Sequence, residues 1–166
     1  FENGVAKTNY GGDFGELVHD GNFVIDGLVS SDRKPRAGLI DLAAVYTPVT
    51  LTLSDSGSKL TMISRLDHSD NSHLSLHWEF RDEQEKINSG VIAYQPLSAR
   101  QTAVLQMPEE AVSILQERAG VLSVWLEFNE NSWAIPAGWV VSTAQCTSPL
   151  GAYQELAMAP GDSRAL

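Results

Sequence analysis

From His73 to Phe80 the chain alternates without a break: Leu74, Leu76, Trp78 and Phe80 are apolar, while His73, Ser75, His77 and Glu79 are polar. Successive side chains of an extended strand point to opposite faces, so this run predicts a strand with one face in a core and the other in water. Val121 to Phe128 repeats the device, with Leu122, Val124, Leu126 and Phe128 on one side and Ser123 and Glu127 on the other. Two such strands commit the chain to sheet structure whose apolar face another layer must cover.

Other runs extend the pattern. Trp139 to Cys146 follows the polar turn Asn129 to Ser132 and is the expected partner of the second strand. Ahead of the first strand, Leu60, Met62 and Leu66 alternate with Thr61 and Arg65, and the turn formers of Asp67 to Asn71 predict that the two runs form a hairpin. Val49 to Ser54, Val91 to Leu97 and Thr102 to Met107 complete a set of seven, separated by RDEQEKINSG and by Ser98 to Gln101. Glu109 to Arg118 follows Pro108, starts with acids, ends on a base and spaces Val112 and Leu115 three apart, which predicts a short helix. Seven short strands at a spacing of roughly 8 to 14 residues predict an all-β fold, an immunoglobulin/fibronectin-like antiparallel β-sandwich of Greek-key type.

The N-terminal stretch is different. Residues 1–38 hold seven of the thirteen glycines and show neither period, so an irregular loop segment that cannot fold alone is expected there. A boundary is expected near residues 37–45, giving a segment 1–36, a sandwich 37–147 and an exit linker 148–166 rich in Pro and Gly.

One core with an appendage is what 166 residues hold, and 43% hydrophobic residues suffice to build it without metals or disulfides. Eleven Lys and Arg against 21 Asp and Glu give a net charge of −10, the wrong sign for nucleic acid or an anionic membrane surface. Cys146 is the only cysteine, so neither an intramolecular disulfide nor a multi-Cys zinc site can form, and a reducing, cytoplasmic compartment is expected. No apolar run is long enough to span a bilayer, and the opening FENGVAKTNY lacks the features of a signal peptide. Phe1 rather than Met stands first, so a piece of a longer chain is expected.

Each candidate constellation has a plain alternative. His68, His73 and His77 suggest a metal, but His73 and His77 on one strand stand about 13 Å apart, too far to share an ion, so they read as solvent-face residues. Asp13-Phe14-Gly15 matches a kinase triplet without a nucleotide loop or catalytic loop to accompany it, and no phosphate loop, nucleophile elbow or zinc-protease motif occurs. Asp13, Glu16, Asp20, Asp26 and Asp32, with Phe14 and Phe23 among them, suit either a polar ligand or cation held by loops, or a solvated acidic loop. Trp125, Trp133 and Trp139 suit either a sugar-stacking platform or core and interface anchors.

Three blocks narrow the choice. Asn9-Tyr10-Gly11-Gly12-Asp13-Phe14-Gly15-Glu16, then Phe23-Val24-Ile25-Asp26-Gly27-Leu28-Val29, then Asp32-Arg33-Lys34-Pro35, resemble in order and spacing the closing segment of the catalytic barrel of bacterial β-galactosidases of glycoside hydrolase family 2. Leu39 and Tyr46-Thr47-Pro48-Val49 resemble that family's exit from the barrel, and His68-Ser69-Asp70-Asn71 with His77-Trp78 its fourth, immunoglobulin-like domain. The resemblance spans residues 1–146. It implies retaining hydrolysis of terminal β-galactosides by two carboxyl groups, both carried on barrel strands ahead of this segment, so no catalytic residue is expected here. It places Phe23 in the galactose pocket with its carbonyl on a sodium ion, and Asp26 where the family has a sodium-binding Asn. It also departs from the family in that Ala37 stands where a second proline is common and Asp41 where a Glu is common.

The resemblance further implies sodium and magnesium in the parent enzyme, neither held firmly by this chain alone. The implied partners are the remaining domains of the same polypeptide, a galactoside substrate and further copies of the parent in a homo-oligomer. The sandwich would space domains and do no chemistry. A free-standing sandwich that binds carbohydrate or protein through its tryptophans is the alternative, and a family 2 enzyme of another sugar specificity is a third reading.

Overall fold

The computed structural model describes residues 3–5, 9–23, 27–30, 32–82 and 86–151. The chain divides into two units, residues 1–47 and 48–166.

The described residues of the second unit form seven strands and an α-helix: β1 (Val49–Leu53), β2 (Lys59–Ser64), β3 (Leu74–Arg81), β4 (Lys86–Ile92), β5 (Thr102–Gln106), α2 (Glu109–Glu117), β6 (Val121–Phe128) and β7 (Val140–Thr147). They form a three-stranded sheet in the order β1-β2-β5 and a four-stranded sheet in the order β4-β3-β6-β7. Every pairing is antiparallel. In an immunoglobulin constant domain the fourth strand stays with the first sheet. Here β4 pairs with β3 instead, which makes the sheets three and four strands wide.

The alternation seen in the sequence sets the register. Leu74 faces Phe128, Leu76 faces Leu126, Trp78 faces Val124 and Phe80 faces Leu122. Across the sandwich Val49, Leu51, Leu60 and Met62 complete the core, and Ala111 and Leu115 of α2 close one end. The acids Glu109 and Glu110 occupy the first turn of α2, where the helix dipole favours negative charge.

Three expectations are corrected. β2 and β3 do not form a hairpin: β2 pairs with β1 and β5, and β3 with β4 and β6. Alternation fixes which side of a strand is buried but says nothing of its neighbour, and residues 65–73 carry the chain from one sheet to the other. Fully buried Asn71 anchors that crossing, its Oδ1 accepting the Leu97 N–H at 2.6 Å. The fourth strand starts earlier than Val91 to Leu97 and overlaps it only at Val91 and Ile92: it runs over Lys86–Ile92, its first five residues in the segment read as a separator. It is an edge strand, and polar residues are usual there. The third correction concerns α1, formed by Ala37–Val45 where no element was expected. Alanine and leucine favour the helix, and Pro48 follows its end.

The first unit holds α1 and a set of turns. None of its described residues is buried. No described helix in the chain is long and apolar enough to cross a membrane.

Candidate functional site

The glycine-rich loop 9–23 is closed by its own backbone, with the Gly11 N–H donating to the Gly21 carbonyl at 3.0 Å. Two of its carboxylates turn inward onto that backbone. Asp13 accepts the Tyr10 N–H at 2.8 Å, and Glu16 accepts the N–H groups of Gly12 at 2.7 Å and Phe14 at 3.1 Å. These bonds, the one from Gly12 foremost, hold the Glu16 carboxyl below its usual range. Gly12 has φ of +90°, and a Cβ there would lie 2.6 Å from the His19 ring, so this position requires glycine.

Asp32 is held in the same local way. Lys34 Nζ lies 2.7 Å from it and the Ser30 hydroxyl donates to it, and together they bring its carboxyl down to about 2. Of the five acids read as a candidate ligand set, Asp13, Glu16 and Asp32 are thus occupied in holding turns. Among the described residues no three His, Cys, Asp or Glu stand close enough together to hold a metal ion.

Phe23 ends this loop, its N–H donating to the Asp20 carbonyl at 3.2 Å and its ring 81% exposed. Asp26 lies outside the described residues. The ring that the resemblance assigns to a sugar pocket is therefore exposed at the end of a hydrogen-bonded turn.

On the sandwich, the histidines read as solvent-face residues are more covered than expected. His77 stacks on Trp125 across the β3–β6 pair, with ring centroids 5.5 Å apart and planes 14° apart. The Trp125 Nε1–H donates to Glu127 Oε2 at 2.7 Å, and the other oxygen of Glu127 lies 3.4 Å from His77 Nε2. His73 packs tilted against Phe128 with centroids 5.2 Å apart. A cavity of about 210 Å³ lies beside His77, bounded by Glu79, Ser89, Val91 and Trp125. The sequence reading missed this cluster, because its members meet only through the strand register. Of the other two tryptophans read as a stacking platform, Trp133 is wholly exposed in the β6–β7 connection and Trp139 is 58% exposed at its end.

Fold and loop together define an immunoglobulin-like sandwich preceded in the chain by a glycine-rich segment with exposed aromatic rings, Phe14 and Phe23 among them. A family model described as β-galactosidase, domain 4, matches residues 60–149, more than half of the chain, and one described as the TIM barrel domain of family 2 glycosyl hydrolases matches residues 2–51. The chain belongs to the β-galactosidase domain 4 family.

Among curated proteins it is similar to a β-galactosidase of Arthrobacter sp. (strain B7), 35% identical over 150 residues, or 86% of this chain and 14% of that protein. It is also similar to a β-galactosidase of Actinobacillus pleuropneumoniae, 44% identical over 76 residues, 45% of this chain and 7% of the other. A β-galactosidase of Kluyveromyces lactis is 28% identical over 141 residues, 85% of this chain and 12% of its own length. The chain thus spans about a seventh or less of the relatives it matches.

Proposed function

We propose that these residues serve within a β-galactosidase that hydrolyses terminal β-galactosides with retention, as the end of its catalytic barrel followed by a structural sandwich. The observation that carries this reading is the succession of matches in one chain: a barrel segment over residues 2–51, then β-galactosidase domain 4 over residues 60–149. Retaining hydrolysis needs a nucleophile and an acid/base carboxyl about 5 Å apart. Glu16 and Asp13 bond to their own loop backbone, and, as the family resemblance implies, both catalytic groups are assigned to barrel strands ahead of these residues.

This chain's part is then to bind and orient. Phe23 offers an apolar ring to the galactose, and its carbonyl with the Asp26 carboxylate offers hard oxygen donors of the kind a sodium ion takes. A carboxylate in place of the family's amide adds one negative charge at that ion. Two oxygens leave most of a coordination sphere to other groups, and magnesium is assigned to the rest of the polypeptide. The remaining domains, the galactoside and further copies of the enzyme are the partners, and the single Cys146 suits a cytoplasmic setting.

In the extended polypeptide, Phe23→Ala is expected to cut kcat/KM for an aryl β-galactoside. The loss is about tenfold to a hundredfold, equivalent to the roughly 1.5–3 kcal/mol of a buried aromatic contact. Asp26→Asn is expected to change how activity depends on added sodium. Unchanged kinetics in the Phe23 variant would remove it from the sugar pocket.

A further inference from the structure

Trp133 stands in water at full exposure, with the half-exposed Trp139 and Val140 following in the chain. The loop that carries it is tied together by its own hydrogen bonds. Phe128 and Trp139 close its base, the Phe128 N–H donating to the Trp139 carbonyl at 3.0 Å and the Gly138 N–H to the Phe128 carbonyl at 2.8 Å. At the tip the Ser132 N–H donates to the Ile135 carbonyl at 2.9 Å and the Ile135 N–H to Ser132 Oγ at 3.2 Å, while Asn131 Oδ1 accepts the Ala137 N–H at 2.9 Å. A loop already ordered loses little entropy on docking.

The shape limits what can cover this indole. Small-molecule sites are concave and enclose the ligand, whereas a side chain projecting from a loop tip fills a pocket on a macromolecular partner, the usual role of tryptophan anchors at interfaces. The region matching this chain is only 14% and 12% of two single-chain relatives. On the reading proposed above, most of the surface that could receive Trp133 is tethered to it, at the millimolar effective concentration that a linker gives and a second molecule does not reach. Glu130 is the one charged residue in 129–139, so the rim it meets should carry a cation.

We infer that the Trp133 loop is an intramolecular docking knob, seated in an apolar, cation-rimmed pocket on the portion of the longer polypeptide outside residues 1–166. This inference rests on the fragment reading of the chain.

Hydroxyl-radical footprinting with mass-spectrometric readout at Trp133, on the 166-residue chain and on the extended polypeptide, tests it. Oxidation in the extended form is expected to be about tenfold slower or more, as for a group exposed only in a minor open state, and independent of protein concentration. Equal oxidation in both, with aryl β-galactoside hydrolysis intact, overturns the docking inference and leaves the proposed function standing. Protection of the short chain that grows with its concentration assigns the loop to a second copy, and protection that needs added lactose assigns it to a saccharide; either overturns the inference. An extended polypeptide without hydrolysis overturns the proposed function separately, and Trp133 protection still decides the docking.

Discussion

Tyr94 shows how one side chain ties the crossing between the sheets. Its hydroxyl lies 3.0 Å from the Leu74 carbonyl and 3.2 Å from that of Asn71, so its single proton is shared between two backbone acceptors. Burial, with the charge of Asp70 second, pushes its pKa up to about 12 from 10.0. A raised folded pKa favours the protonated form, so the stabilisation is complete below pH 10 and is lost as the pH rises from 10 towards 12. Tyr94→Phe should cost about 1 kcal/mol at neutral pH, the usual net worth of such a bond. Urea unfolding of both forms should show the gap closing above pH 10, and a constant gap would mean that the hydroxyl does not hold the crossing. Such a bond is invisible in sequence, because Tyr94 and Asn71 are far apart in the chain. The role assigned to Phe23 was legible only through the resemblance of the blocks around it, and the engagement of Asp13 and Glu16 with their own backbone was not legible at all.

At the scale of elements, β6 could be read to the residue and β3 to within one residue at each end, because alternate side chains of each are core and the others are not. β4 could not. It lies at an edge and gives the core only buried Ile92 and half-buried Ile87, and the feature its place requires is Gly90. That glycine sits opposite Trp78, and a Cβ there would meet Trp78 Nε1 at 2.7 Å. Gly120, just before β6, is tighter still, since its Cβ would fall 2.3 Å from the Arg81 carbonyl oxygen and 2.6 Å from the Phe80 ring. Gly90→Ala and Gly120→Ala should each destabilise the sandwich by about 1–3 kcal/mol through overpacking. Gly120→Ala should be the worse, because a backbone carbonyl yields less than a side chain. Denaturant midpoints check this, and an unchanged midpoint for Gly120→Ala would contradict the close approach. The partner of β2 was illegible for a related reason: pairing is settled by the two sheets as wholes, and a local turn signal at 67–71 serves a crossing as well as a hairpin.

For the whole molecule, the two units differ in self-sufficiency. The sandwich buries sixteen hydrophobic side chains in one cluster, enough for a domain with its own core. The first unit buries none of its described residues and leaves Phe14, Leu17, Val18 and Phe23 at 80% exposure or more. Exposed apolar side chains in this number mark a surface that other parts of a protein cover. On the proposed function this chain supplies scaffold and one face of a sugar pocket, while the reacting carboxylates lie elsewhere in the same polypeptide. The most direct test is aryl β-galactoside hydrolysis by the 166-residue chain and by the polypeptide extended in both directions, assayed side by side. Turnover by the extended form alone is the expected result, and turnover by the short chain, or by neither, would contradict the claim.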